Sequence, residues 1–463
     1  MTELHRVQRL ALPAGPVLAA AVLGLTLNAG LSVGAASAAA VTAWCALWWL
    51  TEAVPIPVTS LLPLAIFPLT GALTPTEVAE SYGSPLILLL LGGFMLSGAL
   101  ARCGAHRRLA LGMINACSRF GQRGLVLGFM LAAAILSMWI SNTATALMLL
   151  PVAIAVLDDE RLRALTLPLL LGVAYAASLG GTGTPIGTPP NLIYMQVYES
   201  QFGITTSFPI WMSWGLLVVG LFLPVMWLWL TRNVGAGPLP NLEPMGEWRT
   251  AERRVMVIFA ATAALWMTRA APFGGWQTWL DLPYANDASV AMLAVVVLCM
   301  VGNGDRHAPA RLLDWDTIKG IPWGVLILFA GGITIARAFI ETGLSDMLAT
   351  HLTVLATLPP WMMILFICLG VTFLTEVTSN TATTALLMPV LAATAVATDL
   401  PPQLLMVPAA LSASCAFMLP VATAPNAVIF GSGRVTIAEM MREGFVLNLI
   451  GAVIITSVML LRF

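Results

Sequence analysis

The word SNTAT stands at residues 141–145 and again at 379–383, 238 positions later, each time opening an apolar run that closes on a proline, Pro151 or Pro389. Each copy is trailed by a Pro-broken stretch, TPIGTPPN at 184–191 and LPVATAPN at 419–426. Upstream, LLGGFMLSGALARCG (90–104) matches FAGGITIARAFIETG (329–343) at an offset of 239. Three landmarks at nearly one offset make the chain two halves of one design. Polar words that interrupt apolar segments at corresponding places in the two halves mark where such a chain binds its ligands.

The medium around those words follows from composition. Of 463 residues, 59% are apolar and 9% charged, with a mean hydropathy of +0.90, whereas a soluble domain carries roughly 25% charged residues. The chain reads as a polytopic membrane protein. A net charge of −1 offers no basic surface for nucleic acid. The six cysteines show no CxxC spacing and read as buried free thiols, and the four histidines sit near segment ends without metal-ligand spacing. No P-loop is present to couple ATP. An intramembrane enzyme would need a nucleophile–base pair or paired acids at membrane depth, and the apolar segments offer no histidine and one candidate acid, Glu376.

Runs long enough to cross roughly 30 Å of hydrocarbon predict an all-α polytopic membrane protein with eleven transmembrane helices in two inverted repeats, each holding a re-entrant helical hairpin and a broken helix. The expected plan is an N-terminal helix within 1–35, taken as retained rather than as a signal peptide, then a first repeat over 36–231 with a hairpin at 124–155 and a broken helix at 165–198. A cytoplasmic linker at 232–254 leads to a second repeat over 255–463, with a hairpin at 359–397 and a broken helix at 404–433. The hairpins are inferred because SNT splits each apolar run into arms too short to cross comfortably. Residues 102–123, with five arginines, predict a helix lying on the membrane surface.

The basic residues orient this plan. With the N-terminus inside, inner segments hold 18 of the 21 Lys+Arg, and only Arg269, Arg337 and Arg462 fall elsewhere. That bias supports an N-terminus in the cytoplasm and a C-terminus outside. It opens the first hairpin to the cytoplasm and the second to the outside, the inverted arrangement that underlies alternating access.

At each hairpin turn, Ser, Asn and Thr precede a helix expected at 144–155 or 382–397. Their side chains and the free N–H groups of the first turn then point at one spot, which suits an anion. In the broken helices Pro189 and Pro190, or Pro425, begin the second half-helix, and the unwound residues before them expose carbonyls suited to a hard cation such as Na⁺.

The stretches WWLTEAVPIPVTSLLPLAIFPLTG (48–71), both SNTAT words, ASLGGTGTPIGTPPN (177–191), WGVLILFAGGITIARAF (323–339) and MLPVATAPNAVIFG (418–431) resemble the divalent anion:sodium symporters, a family of bacterial dicarboxylate transporters and mammalian citrate and sulfate carriers. The resemblance runs from about residue 40 to the end. It implies a Na⁺-coupled importer of C4-dicarboxylates (succinate, malate, fumarate) in the cytoplasmic membrane. It further implies an elevator mechanism, a homodimer and at least two Na⁺ as coupling ions. Exchange of one dicarboxylate for another, or a different divalent anion such as citrate or sulfate, stays open.

Carried over residue by residue, the resemblance places Ser141, Asn142, Thr143, Ser379, Asn380, Thr381, Thr423 and Ala424 on the substrate. It assigns a first sodium site to Ser137, Ser141, Asn142 and Gly187, and a second to Thr375, Thr378, Asn380 and Ala422, with Gly187 and Ala422 acting through backbone carbonyls. One departure between the halves is Pro189 of TPPN facing Ala424 of TAPN. Glu376 is expected either to act at the second sodium site or to brace the hairpin. Glu52 is expected to be structural, Arg337 not to clamp substrate, and Trp48, Trp49 and Trp139 to pack or to sit at the interface.

Overall fold

The structure is a computed structural model that describes residues 6–235, 247–270, 274–352 and 358–463. The expected linker at 232–254 therefore lies partly outside the described residues, as do the first five residues of the N-terminal segment. Among the described residues the chain is helical, with one isolated β-bridge between Gly302 and Arg311. Eight helices are long and apolar enough to cross a membrane, and six further apolar helices run 10–17 residues. Length and composition alone thus do not reach the eleven expected crossings. Ile56–Thr70, Asp287–Met300 and Pro402–Ala413 are short, and Asn380–Thr398, one of the eight, is the second arm of a hairpin.

The first hairpin consists of helices Gly121–Ser137 and Asn142–Leu157, the second of Pro360–Thr375 and Asn380–Thr398. Arms of 16 and 17 residues are about 25 Å long at 1.5 Å per residue, short of the hydrocarbon thickness. The broken helices are Thr166–Gly180 with Pro189–Phe202, and Pro402–Ala413 with Ala424–Phe430. Proline occupies the first turn of Pro189–Phe202, where its missing N–H has no intrahelical partner to lose.

The repeat extends to the surface helices. Gly104 and Gly343, the last residues of the matched upstream words, both adopt left-handed backbone, φ 81° and 74°. Each is followed by a helix, Ala105–Ser118 or Leu344–Leu352. The first is the expected surface helix, trimmed from 102–123 because Gly104 and Gly121 turn the chain at its ends. The second was not expected, since no arginine cluster marks it.

Small residues bring the bundle into close contact. A Cβ on Gly180 would collide with the backbone of Ala134 in the first hairpin, and one on Gly444 with Phe417 in the second break. Trp139, at the first hairpin tip, stacks on Phe208 (6.2 Å) and meets Phe259 edge-on (5.1 Å), while Phe208 stacks on Trp266 (5.0 Å). At the arginine-rich end, Arg108 pairs with Glu252 at 3.0 Å, and Arg102 pairs with Asp314.

Candidate functional site

The hairpin tips are built by capping. Ser141 has extended backbone (φ −57°, ψ 142°), and its hydroxyl accepts the N–H of Ala144 at 3.2 Å. The following helix therefore begins at Asn142, not at 144 as expected, and its partner begins at Asn380, not at 382. Asn and Thr of each SNT lie inside the first turn, beside backbone N–H groups that have no intrahelical acceptor. Ser379 has the same extended backbone but makes no side-chain cap bond.

Behind each tip a buried hydroxyl reaches the asparagine. Ser137 Oγ donates to Asn142 Oδ1 at 2.5 Å, and Thr375 Oγ1 donates to Asn380 Oδ1 at 2.6 Å. Thr375 Oγ1 also lies 3.1 Å from the carbonyl of Ala413. Thr378 directs its hydroxyl to Leu374 O at 2.8 Å and sits 2.5 Å from Thr383 Oγ1. In the first half, a Cβ on Gly181 would stand 2.7 Å from Asn142 Oδ1 and 3.1 Å from Gly187 O. Two oxygens of the expected first sodium site thus converge on one point that only glycine leaves open.

The unwound stretches are held by two asparagines that the sequence reading did not single out. Asn191 Nδ2 donates to Gly181 O (3.0 Å) and Thr184 O (2.7 Å), and Asn426 Nδ2 donates to Ala416 O (3.1 Å) and Leu419 O (3.0 Å). The sequence spacings are identical, ten and seven residues, so Gly181 corresponds to Ala416 and Gly187 to Ala422. An Asn two places after the first-turn position in both TPPN and TAPN was the available signal. The first stretch is further fixed by Trp211 Nε1 donating to Thr182 O (2.9 Å) and Thr184 Oγ1 donating to Met138 O (2.5 Å). The second is fixed by Glu376, whose carboxylate accepts the backbone N–H groups of Phe417, Met418 and Leu419 at 2.8–2.9 Å.

Both tips and both breaks face one cavity of about 800 Å³. Every expected site residue lines it except Ser137 and Thr375, which stand behind Asn142 and Asn380 with their side chains fully buried. Glu52, expected to be structural, lines the cavity as well, at the end of helix Val33–Thr51 in left-handed conformation (φ 48°). Trp49 and Trp139 also contribute to the wall. Trp48 instead donates to Ala11 O at 3.0 Å, and Arg337 pairs with Glu80 at 2.8 Å, away from the cavity. Among the described residues no Lys, Arg or His lines the cavity, and Glu52 is its single ionisable side chain.

A family model described as a citrate transporter matches residues 46–405. The chain belongs to that family. Its relatives include the sodium-dependent dicarboxylate transporter SdcS of Staphylococcus saprophyticus, 37% identical over 96% of this chain and 89% of the relative. SdcS of Staphylococcus aureus strain USA300 is likewise 37% identical, over 90% and 84%. These relatives of the citrate transporter family are transporters, not enzymes. Among solved structures, the YdaH transporter of Alcanivorax borkumensis aligns with a TM-score of 0.60 at 15% identity, covering 83% of this chain and 86% of that one. MtrF of Neisseria gonorrhoeae aligns at 0.57 and 12%, covering 85% and 83%. At such identities the likeness is one of fold.

For a membrane transporter of the citrate transporter family, the cavity offers two kinds of partner. The amide and carbonyl oxygens of Asn142, Gly187, Asn380 and Ala422 are neutral donors suited to a hard monovalent cation. The hydroxyls and the first-turn N–H groups of the two hairpin helices suit carboxylate oxygens, and the positive ends of those helix dipoles face the same space.

Proposed function

We propose that this protein imports C4-dicarboxylates across the cytoplasmic membrane by Na⁺ symport. In this reading Asn142, Thr143, Asn380 and Thr381 hold the two carboxylates, with Ser141, Ser379, Thr423 and Ala424 completing the lining. One Na⁺ is held by Ser137, Ser141, Asn142 and Gly187, and a second by Thr375, Thr378, Asn380 and Ala422. The observation that carries the reading is the pair of asparagines, each bonded to a buried hydroxyl behind it, facing one cavity without a basic side chain.

The charge balance supports the coupling. Helix ends supply about half a positive charge each, and desolvating a carboxylate costs several kcal/mol even after relaxation. A dianion at this depth therefore needs cations, and at least two Na⁺ travel with it as co-substrates. The relatives named as sodium-dependent dicarboxylate transporters support the same choice of ion and substrate.

The cavity reaches Gln8 and Glu52, at the end of the molecule that the distribution of arginines favours for the cytoplasm, which supports reading this as an inward-open form with the N-terminus inside and the C-terminus outside. Transport then carries the two hairpins and two broken helices, together with helices Phe208–Leu230 and Ile437–Arg462 whose Trp211 and Asn448 hold the breaks, as one body past the remaining helices, within a homodimer. The contacts of Trp139 with Phe259 and of Phe208 with Trp266 lie on that sliding boundary.

Uptake of labelled succinate into proteoliposomes, with Na⁺, Li⁺, K⁺ or choline outside and with or without internal succinate, tests the reading. Symport predicts uptake that requires external Na⁺ and no internal substrate. Uptake only against internal substrate would make the protein an exchanger, and Na⁺-dependent uptake of citrate or sulfate alone would change the substrate.

A further inference from the structure

Glu376 has no role in the reading above, yet its surroundings are one-sided. Its Oε1 accepts the N–H of Phe417 (2.8 Å), the N–H of Met418 (2.9 Å) and the side-chain amide of Asn448 (2.7 Å), while Oε2 accepts the N–H of Leu419 (2.9 Å). The residue is 3% exposed and Asn448 is fully buried. Four convergent N–H donors form the environment of a carboxylate anion. Three of them belong to consecutive amides of the unwound stretch between Ala413 and Ala424.

That stretch is gripped from both edges. Glu376 takes its N–H edge, and Asn426 takes the carbonyls of Ala416 and Leu419. Asn448 reinforces the grip by accepting the Phe417 N–H at 3.3 Å, and Gly444, one turn earlier on the same helix, lets that helix press against the Phe417 backbone. Three residues beyond Leu419 is Ala422, and immediately before Glu376 is Thr375, whose hydroxyl reaches Asn380. The carboxylate thus sits between two of the groups assigned to the second cation. In the first half the matching residue is Met138, whose carbonyl accepts the Thr184 hydroxyl and whose uncharged side chain packs against Gly183.

We infer that Glu376 is the positioning residue of the second cation site. It fixes the backbone that presents Ala422 O and sets a carboxylate next to Thr375 where the first half has Met138, so the second site binds Na⁺ more tightly than the first. The inference rests on reading the two sites as Na⁺ sites.

The test is Na⁺-dependent thermal stabilisation of the purified full chain in detergent, without dicarboxylate and with ionic strength held by choline. The wild type gives a midpoint Na⁺ concentration. Glu376→Gln, which replaces one carboxylate oxygen by an amide NH2 facing the backbone N–H groups, raises that midpoint at least tenfold. Glu376→Asp, keeping the charge with a shorter reach, restores part of the loss, and Asn448→Ala raises the midpoint about threefold. Glu376→Gln adds little to Thr375→Ala, which damages the same site, and acts in full on Ser137→Ala, which damages the other.

A brace without bearing on the ion would lower the melting temperature in choline and leave the midpoint within twofold of wild type. That result, or equal effects in the two backgrounds, overturns the inference. Should Glu376→Gln fail to fold, Glu376→Asp and Asn448→Ala decide by the same midpoint criterion. A wild type that Na⁺ does not stabilise overturns the Na⁺ reading of the sites, and the inference with it. A wild type that Na⁺ stabilises but that takes up no dicarboxylate removes the substrate reading and leaves the role of Glu376 standing.

Discussion

The two halves agree at the SNT tips and at the asparagines that grip the breaks, and diverge at residues packed around them. Asn142 and Asn380 each receive a hydroxyl from five positions earlier, and Asn191 and Asn426 grip the breaks at identical spacings. Yet the hydroxyl is a serine in one half and a threonine in the other. Gly181 faces Ala416, and Met138 faces Glu376. A ligand shared between two half-sites constrains the atoms that touch it. The supporting backbone needs only to be held, and a carbonyl-directed Trp211 or an amide-directed carboxylate can hold it equally well.

The comparison can be broken most decisively at the asparagines. Asn142→Ala and Asn380→Ala should each abolish succinate uptake, a loss of roughly 100-fold or more for an amide shared by cation and anion. Normal gel-filtration behaviour would show that the fold survives. Substrate binding retained in both variants would end the view that the two tips act together.

Next in size is the glycine difference. A methyl at Gly181 would stand 2.7 Å from Asn142 Oδ1, so Gly181→Ala should raise the half-saturating Na⁺ for uptake by roughly tenfold or more through its first-site oxygens. Ala416→Gly, the reverse change at the matching place, should shift it less than threefold. Equal effects would mean that the halves are not distinguished by space at this point.

The hydroxyls come third. Ser137→Ala and Thr375→Ala remove one hydrogen bond each, and about 1 kcal/mol corresponds to a rise of roughly fivefold in the Na⁺ requirement. Succinate affinity at saturating Na⁺ should be unchanged. A change confined to that affinity would reassign both hydroxyls to the anion. The smallest perturbation tests orientation. Single cysteines at Arg107 in a Cys-free background should label from the cytoplasmic side, and those at Gln201 and Asp399 from outside, and the reverse pattern would turn the cavity the other way.

Much of this was legible because the repeat is written in polar residues set against an apolar background. SNTAT, TPPN and TAPN gave the tips and breaks, and Gly104 and Gly343 closed the matched upstream words where the chain turns. The helix Leu344–Leu352 escaped notice although it stands 239 residues after Ala105, because no arginine cluster marked it. The partners of Glu376 were illegible for a different reason. Backbone amides leave no trace in a sequence, and Asn448 is 72 residues away on another helix. Glu52 was read as structural because only the folded chain shows that the end of helix Val33–Thr51 borders the cavity.

The hydroxyl-to-amide bonds behind the tips have one more consequence. A hydroxyl that donates to Asn142 Oδ1 or Asn380 Oδ1 occupies one of the two lone pairs of that oxygen, so in the proposed reading it competes with the incoming ion. The same bond satisfies the amide oxygen whenever no cation does, and an unloaded carrier can recross the bilayer without an orphaned acceptor. If the proposed cation sites hold, the side chains act as built-in placeholders for the ions. Thr375 has a second resting place at Ala413 O, 3.1 Å away, and no such alternative is found for Ser137 among the described residues. Release of the Thr375 hydroxyl should be the easier one, so at the proposed sites the second-half ion is expected to enter ahead of the first.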